Sequence, residues 1–377
     1  MKSIAVCIPS FLEEENIAFV TKTVDAGLSE YYSGMNCFIV NADNNSTDKT
    51  KEIFLNTNTI SKRIYLGTDK LGKGENIINF FHYVIEHNID VAAMFDSDLK
   101  SIQPFWLSTF LMPIINDEFD FIFPSYQRDK YDGVVTSQVC FPLLYGLFGA
   151  FIRQPIAGDY AFSKKFIEYI LSKEVSQNVR EFGIDIYLTT EAILSNFKIG
   201  GVEVGYKIHK KRDRSTLGPM LINVLTTIFD QAIKNQLYLK KSPKILFPKI
   251  ITGKKPDFYS VPPANINFEI LNSHIENGVS MFIADYQKIF SAHIINLFDA
   301  CTEKIYFNSK DWTLTVYECL KYYISNPQTS LDFMVPLFFI RIRSFIGETA
   351  DLSYIETENN LLEQAINFHL LSSTCYG

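Results

Sequence analysis

VAAMFDSD, at residues 91–98 of this 377-residue chain, is the stretch that decides the predicted fold. Its apolar run is short and follows a helical pattern, so we predict a buried strand here. Asp96 and Asp98 then lie at the C-terminal end of that strand, where open α/β sheets bind their ligands. Because one residue separates them, both side chains point to the same side of an extended chain. Two converging carboxylates are able to hold Mg²⁺, although an Asp-x-Asp pair alone is also common in solvated turns.

Strand and helix patterns alternate on both sides of this stretch. Short apolar runs predict further strands at residues 3–8, 36–41, 63–66, 119–123 and 201–208. Helical patterns separate the earlier strands; one begins after the acidic residues 13–15, one is capped by Ser46 or Thr47, and one ends near His87. This alternation indicates βαβ units, so we predict an α/β, Rossmann-like fold with a mainly parallel sheet flanked by helices.

The pattern changes after about residue 215. From there to the end the apolar spacing is mostly helical, with breaks that contain proline. We therefore predict two regions, an α/β domain at residues 1–215 and a mainly helical C-terminal region at residues 216–377. The helical region is expected to pack on the α/β unit or to mediate a homodimer.

Composition and charge narrow the class of protein. Hydrophobic residues make up 47% of the chain and charged residues 20%, as in an ordinary globular protein. The formal net charge of −7 argues against a nucleic-acid binder, whose surface is basic. We therefore expect no nucleic-acid partner.

Cysteine spacing and hydrophobic runs indicate the compartment. The six cysteines are scattered without C-x-x-C pairs, which predicts reduced thiols in a cytoplasmic protein. The first residues reach Pro9 before a signal peptide could form. The apolar run at residues 139–152 is too short to span a membrane, and the run at 331–346 contains two arginines. We expect no transmembrane segment.

The stretch GTDKLGKG at residues 67–74 has the spacing of a phosphate-binding loop. A Walker loop needs Ser or Thr after its lysine, and Gly74 stands there instead. What remains is Lys73 flanked by glycines before a helix, which suits an anion, or else a flexible turn with a solvated lysine.

His209 lies in the run KIHKKRDR at residues 207–214, at the end of a predicted strand. A histidine among five basic residues is a candidate for a site that holds a metal and a diphosphate. The same run would also suit a solvated surface.

Two further stretches carry an aspartate. RQPIAGD at residues 153–159 precedes a predicted helix; its small residues allow close approach of a ligand, and Asp159 could hydrogen-bond sugar hydroxyls. FGID at residues 182–185 opens a helix, where Asp185 taken alone would serve the helix N-terminus.

Taken in order, these pieces resemble retaining nucleotide-sugar glycosyltransferases of the GT-A fold, in particular mannosylglycerate synthase and glucosyl-3-phosphoglycerate synthase. The resemblance covers roughly residues 1–215. It rests on the ordered set of motifs IPS with EE at 8–14, D with STD at 43–48, GKG at 72–74, DSD at 96–98, QP through GD at 154–159, and FGID at 182–185 leading to His209.

The resemblance implies a role for each matching residue. Those expected to bind the donor are Pro9, Ser10, Glu13, Asp43, Lys73, Asp96, Ser97 and Arg212. The metal, Mg²⁺ or Mn²⁺, would be held by Asp98 and His209, with Asp96 beside them. Lys73 would also act in catalysis, and Asp159 and Asp185 would face the transferred sugar and the acceptor. Whether one of these aspartates is a transient nucleophile or stabilises the sugar cation is left open.

The chain departs from the family pattern at three positions. Leu12 stands where the family commonly has Asn before the acidic pair, and Asp159 replaces a longer Glu. Val134 occupies the place of an Arg that phosphoglycerate enzymes use for the acceptor phosphate, whereas Thr136 remains. The expected acceptor is therefore a small hydroxyl compound, such as a glycerate-like molecule.

The predicted function is a metal-dependent retaining transfer of a hexose from a UDP- or GDP-linked donor to that acceptor. One alternative is a sugar-phosphate nucleotidyltransferase, which normally has a Gly-rich, Arg-containing loop after its first strand; residues 8–12 contain neither residue type. Another is a non-catalytic protein that binds nucleotide sugars on the same fold, against which the intact metal set argues.

Overall fold

A computed structural model describes residues 2–209, 217–239, 244–252, 267–299 and 304–376 of the chain. These residues belong to two compact units, each discontinuous in sequence. The sheet unit comprises the described parts of Met1–Arg128, Gln154–Arg212 and Pro248–Pro262. The helical unit comprises the described parts of Asp129–Arg153, Asp213–Phe247 and Pro263–Gly377. The domain boundary expected near residue 215 stays a prediction; within the helical unit, residues 129–153 pack with segments that follow much later.

The sheet unit is built on one eight-stranded sheet. Its strands are β1 (Ser3–Ser10), β2 (Asn36–Asp43), β3 (Lys62–Gly67), β4 (Val91–Met94), β5 (Phe121–Gln127), β6 (Tyr160–Ser163), β7 (Ile199–Tyr206) and β8 (Lys249–Thr252). They lie in the order β3-β2-β1-β4-β6-β5-β7-β8. Strand β6 is antiparallel to both neighbours, and the other paired strands are parallel. The prediction of an α/β fold with a mainly parallel sheet is confirmed.

Fourteen α-helices are present in the described parts of the chain. In chain order they are α1 (Ile17–Tyr32), α2 (Thr50–Asn56), α3 (Lys73–Glu86), α4 (Pro104–Ile115), α5 (Phe141–Phe148), α6 (Lys164–Leu171), α7 (Ile184–Leu194), α8 (Leu217–Lys234), α9 (Gln236–Leu239), α10 (Phe268–Ile289), α11 (Ala292–Asn296), α12 (Ser309–Ser325), α13 (Met334–Thr349) and α14 (Tyr354–Tyr376). Two π-helical turns, Thr136–Cys140 and Val179–Gly183, precede α5 and α7.

The centre of the sheet is the apolar stretch from which the fold was predicted. All four residues of β4 are buried, and β4 lies beside β1 with Cys7 opposite Met94. Because both faces of a parallel sheet are covered, its strands are continuously apolar rather than alternating. Strand β1 has the same character, since its residues from Ile4 onward are buried. The pairing brings the carboxyl ends of β1 and β4 to the same edge.

Strand β6 corrects one expectation from the sequence. The loop at residues 153–159 leads into β6 and only then into α6, rather than directly into a helix. Four residues are too few to show the alternation of apolar and polar side chains that predicts a strand. This strand forms because it pairs with β4 on one side and β5 on the other. Strand β8 similarly lies in the region predicted to be mostly helical, where it pairs with β7.

The helical unit matches the predicted helical character of the later part of the chain. Helix α5 packs against α14, which also packs against α12, and α10 packs against α13. Most of the apolar run at 139–152 forms the buried helix α5. Among the described residues, no helix combines the length and apolar character that crossing a membrane requires.

Candidate active site

Loops at the carboxyl edge of the sheet carry most of the predicted site residues. Strands β1 and β2 end side by side, with Ser10 opposite Asp43. Ser10 Oγ donates to Asp43 Oδ2 at 2.5 Å, and Asn41 Nδ2 donates to Ser10 Oγ at 2.7 Å. Ser10 and Asp43 were both predicted to line the donor pocket. The structure brings them into direct contact.

Asp43 organises the loop that follows β2. It is fully buried, and its carboxylate accepts hydrogen bonds from Ser46 N at 2.6 Å, Ser46 Oγ at 2.7 Å and Tyr65 OH at 3.1 Å, as well as from Ser10. The prediction that Ser46 or Thr47 caps the next helix is wrong, because α2 begins at Thr50 without a side-chain cap. Ser46 instead closes the turn on Asp43, since a short hydroxyl side chain readily bonds nearby polar groups in turns.

The loop after β1 contains a strained residue. Leu12 has a φ of 57°, whereas the other described non-glycine residues with positive φ are Asn or Asp. Its N–H donates to Ser46 Oγ at 2.8 Å, which ties this loop to the one after β2. Glu13 is buried and its N–H donates to Thr50 Oγ1 at 2.8 Å. Pro9, also predicted here, is buried in β1.

The glycines around Lys73 have a structural reason that is not evident from sequence. A Cβ atom on Gly72 would lie 2.3 Å from the backbone oxygen of Arg180, and one on Gly74 would lie 2.0 Å from that of Val179. The start of α3 therefore packs directly against the π-helical turn before α7. This close approach brings Lys73 beside Asp185, the second residue of α7.

Five charged side chains form a continuous series that we call the ion chain: Asp185, Lys73, Asp96, Lys207 and Asp159. Lys73 Nζ lies 2.9 Å from Asp185 Oδ2 and 2.9 Å from Asp96 Oδ1. Lys207 Nζ lies 2.8 Å from Asp96 Oδ2 and 2.8 Å from Asp159 Oδ2. When all five groups are ionised, three carboxylates face two ammonium groups, and the series carries one net negative charge.

The ion chain shifts the pKa values of its members. Burial lowers the pKa of Lys73, but the adjacent carboxylates of Asp185 and Asp96 outweigh it and raise that pKa above its usual value. Burial raises the pKa of Asp96, and the ammonium groups of Lys207 and Lys73 overcome it and hold the pKa well below its usual range. For Asp185 burial dominates, and its pKa is raised.

The two ends of the ion chain differ in their hydrogen bonding. Asp159 accepts from Asp96 N at 2.9 Å, from Tyr126 OH at 2.7 Å and from Lys207. Asp185 is also buried, but its Oδ1 atom has no hydrogen-bond partner among the described residues. A buried polar atom without a partner needs an explanation, and a ligand that binds there is one.

Gly158 allows the centre of the ion chain to form. Its φ is 90°, and a Cβ atom there would lie 2.2 Å from Asp96 Oδ2. The carboxylate of Asp96 therefore rests against glycine backbone, which no L-residue with a side chain could replace without displacing it.

The predicted metal ligands lie on neighbouring segments. Lys100 N donates to Ile208 O at 2.7 Å, and Ile208 N donates to Ser101 Oγ at 2.9 Å. These bonds place the residue before His209 beside the loop that follows Asp98. Asp98 and Ser97 are buried.

The number of possible protein ligands at a metal site is small. Among the described residues, no group of three or more His, Cys, Asp and Glu side chains is arranged to hold a metal ion. Arg212, predicted to help bind the diphosphate, lies outside the described residues.

Two residues of this site were not singled out from sequence. Lys207 stood in a basic run that was interpreted as a metal and diphosphate site around His209 or as a solvated surface, and its position directly after β7 buries it. Tyr126, in β5, has no sequence signal; its role is visible only through its bond to Asp159.

The chain is similar to known glycosyltransferases in sequence and in fold. The model of the mannosylglycerate synthase glycosyltransferase domain matches residues 5–217. No curated protein sequence matches the chain significantly. Among solved structures, glucosyl-3-phosphoglycerate synthase from Mycobacterium tuberculosis is similar in several complexes.

Three of these complexes share the fold with this chain. The complex with Mn²⁺, UDP and glucosyl-3-phosphoglycerate has a TM-score of 0.52 and 22% identity, covering 61% of this chain and 80% of the other. The complex with Mn²⁺, UDP-glucose and phosphoglyceric acid has a TM-score of 0.51 and 22% identity, covering 61% and 79%. The complex with Mg²⁺ and UDP has the same four values. The fold of the chain is thus GT-A, as predicted.

Proposed function

This chain belongs to the mannosylglycerate synthase family of glycosyltransferases, and on that premise we propose that it moves a hexose from a nucleoside-diphosphate sugar to a small hydroxyl acceptor. The reaction breaks the bond between the anomeric carbon and the diphosphate. Negative charge develops on the leaving group, and the sugar gains oxocarbenium character. A suitable site has an ammonium group that stabilises the negative leaving group and, beside it, a carboxylate that stabilises the positive sugar.

The pairing of Lys73 with Asp185 is the observation that carries the proposal. Within the described residues, Lys73 Nζ donates to Asp96 and Asp185, so one of its three N–H groups is left for a phosphate oxygen. Asp185 Oδ1 is buried and has no partner there. The ammonium group is thus available to the leaving group, and the carboxylate oxygen to the sugar.

Mg²⁺ or Mn²⁺ is the proposed cofactor, held by Asp98 and His209. Mg²⁺ is usually bound through one or two protein groups together with substrate phosphates, which fits a site without three clustered protein ligands. When bound, the cation would neutralise charge on the departing diphosphate. Asp96 was also predicted as a ligand. We assign it to the donor instead, because each of its oxygens accepts from an ammonium group.

The base, the acceptor and the stereochemistry are finer parts of the proposal. The mycobacterial synthase binds UDP-glucose and phosphoglyceric acid, which favours uridine and a three-carbon acid here. Val134, at the place where phosphoglycerate enzymes have an Arg, carries no charge that could pair with a phosphate. This favours an acceptor without a phosphate, such as glycerate. Retention of configuration is what the family resemblance implies. The cytoplasmic location and the homodimer stay predictions.

The test is a donor and acceptor panel. Wild-type protein with Mn²⁺ is incubated with UDP-glucose or GDP-mannose and with glycerate, 3-phosphoglycerate or glycerol 3-phosphate, and release of the nucleoside diphosphate is measured. We expect release with one donor only, greatest with glycerate, and lost in Asp98→Ala; NMR of the product would give an α-glycosidic linkage. Pyrophosphate release from a sugar phosphate and a nucleoside triphosphate, or turnover unchanged in Asp98→Ala, would contradict the proposal.

A further inference from the structure

Lys207 is the more deeply buried of the two lysines in the ion chain. Its side chain is 4% exposed, against 19% for Lys73. Its three ammonium hydrogens are all used inside the protein, on Asp96, on Asp159 and on the backbone oxygen of Ala157 at 2.5 Å. Because an ammonium group has three donors, Lys207 has none to offer a ligand.

Asp159 is enclosed in the same way. It is fully buried, one oxygen accepts from Asp96 N, and the other accepts from Tyr126 OH and Lys207. The ring of Tyr126 also lies under the ammonium group of Lys207, with Nζ 5.5 Å from its centroid. Both carboxylate oxygens of Asp159 are thus bonded to groups of the protein rather than exposed to a sugar.

We propose that Lys207 and Asp159 form an internal clamp that positions Asp96, and that neither residue contacts the transferred sugar. Lys207 donates a hydrogen bond to the carboxylate of Asp96, and Asp159 accepts one from the backbone N–H of Asp96. Asp96 follows β4 in a segment without regular secondary structure, so its conformation depends on such contacts. The inference rests on the proposed function, because that proposal places Asp96 at the donor.

Charge balance explains why the clamp needs both partners. Without Lys207, the buried carboxylate of Asp159 would lie beside that of Asp96, whose remaining ion-pair partner in the ion chain is Lys73, and the repulsion between the two carboxylates would displace Asp96. Removing one partner of a buried ion pair leaves an uncompensated charge, whereas replacing both partners is often nearly neutral. The clamp therefore predicts that a second substitution repairs the first.

The experiment compares the wild type with Lys207→Met, Asp159→Asn and the double variant. We measure kcat and KM for the active donor and the melting temperature of each protein. Lys207→Met is expected to lower kcat about 100-fold, because small displacements at a reacting centre have effects of that size. The double variant is expected to regain about tenfold in kcat over Lys207→Met and to melt at a higher temperature. Asp159→Asn should leave the donor KM within about threefold of wild type.

A matched control replaces Lys198, an exposed lysine just before β7, in the variant Lys198→Met. It should change neither kcat nor KM. If Asp159 contacts the sugar, Asp159→Asn will raise the donor KM well beyond threefold, and the double variant will be worse than either single one; that result overturns the clamp. Unchanged kcat in Lys207→Met also overturns it.

Two readouts separate this inference from the proposed function. If the wild type releases no nucleoside diphosphate from any donor, the proposed function fails. The melting temperatures still test the clamp, since a double variant that melts below Lys207→Met contradicts it. If Lys207→Met does not fold, recovery of folding in the double variant supports the clamp, and a double variant that also fails to fold overturns it.

Discussion

Two clusters of charged side chains, one in each unit, show how a structural ion pair differs from a candidate active site. In the helical unit, Arg341 is fully buried and its guanidinium forms a bidentate pair with Glu348 at 2.8 and 2.9 Å. It also donates to Gln138, Gln364 and the backbone oxygen of Phe307. In the ion chain of the sheet unit, Lys73 and Asp96 are partly exposed, and Oδ1 of Asp185 has no hydrogen-bond partner among the described residues. A buried group whose hydrogen bonds are made within the protein stabilises the fold, whereas a buried oxygen without a partner needs an explanation, and a ligand is the one we favour at Asp185.

The largest expected effect is on stability, in Arg341→Met. This change leaves the Glu348 carboxylate and two amide side chains without their partner, so the free energy of unfolding should fall by about 3–5 kcal/mol. Urea denaturation checks this, with Lys321→Met on the exposed side of α12 as the control. An unchanged unfolding free energy would remove the contrast between the two clusters.

Next in size is Asp185→Asn, which keeps the shape of the side chain and removes its charge. We expect kcat to fall about 10²–10³-fold, as when one electrostatic contact to a transition state is lost. The melting temperature should not fall, because burial already disfavours the charged form of this residue. Steady-state kinetics decide, with Asp90→Asn, an exposed aspartate just before β4, as the control. Loss of stability without loss of kcat would place Asp185 in the structural class.

Gly158→Ala should have an intermediate effect on both quantities. The added Cβ would meet Asp96 Oδ2, and a φ of 90° is unfavourable for alanine. We expect a loss of about 1–3 kcal/mol in unfolding free energy, together with a fall in kcat. Gly34→Ala, at a position where a Cβ would meet no atom within 4 Å, is the matched control. Normal kinetics in Gly158→Ala would show that Asp96 tolerates displacement.

The smallest expected effect is a gain, in Leu12→Asn. Leucine in the left-handed region is strained by roughly 1–2 kcal/mol, whereas asparagine adopts it more readily, so we expect stabilisation of about 1 kcal/mol. Phe11→Asn makes a similar change at the exposed neighbouring residue and should give no such gain. Differential scanning calorimetry measures both. A lower melting temperature in Leu12→Asn would mean that the leucine side chain makes compensating contacts.

The parts of this molecule that follow from local pattern could be predicted from sequence. The strand before Asp96 is a short apolar run, and the helix that begins near Lys73 and the helix that carries Asp185 have apolar spacings of their own. The short strand β6 and the burial of Lys207 could not be predicted, because both depend on neighbours that are distant in sequence. The glycines beside Lys73 show this most clearly, since their reason lies in the backbone of Val179 and Arg180, more than a hundred residues later. Ser46 was misassigned for a different reason, because it closes a local turn on Asp43, three residues before it, instead of capping the next helix.

The reversed direction of β6 determines which residues lie together at one edge of the sheet. Met94, the last residue of β4, is paired with Tyr160, the first residue of β6. In a purely parallel arrangement, a residue that precedes a strand emerges on the far side from those that follow one. Because β6 is antiparallel to β4, the start of β6 lies beside the end of β4. Gly158 and Asp159, which precede β6, therefore contact Asp96, which follows β4. One inverted strand thus lets two segments of opposite chain direction supply neighbouring groups to the ion chain.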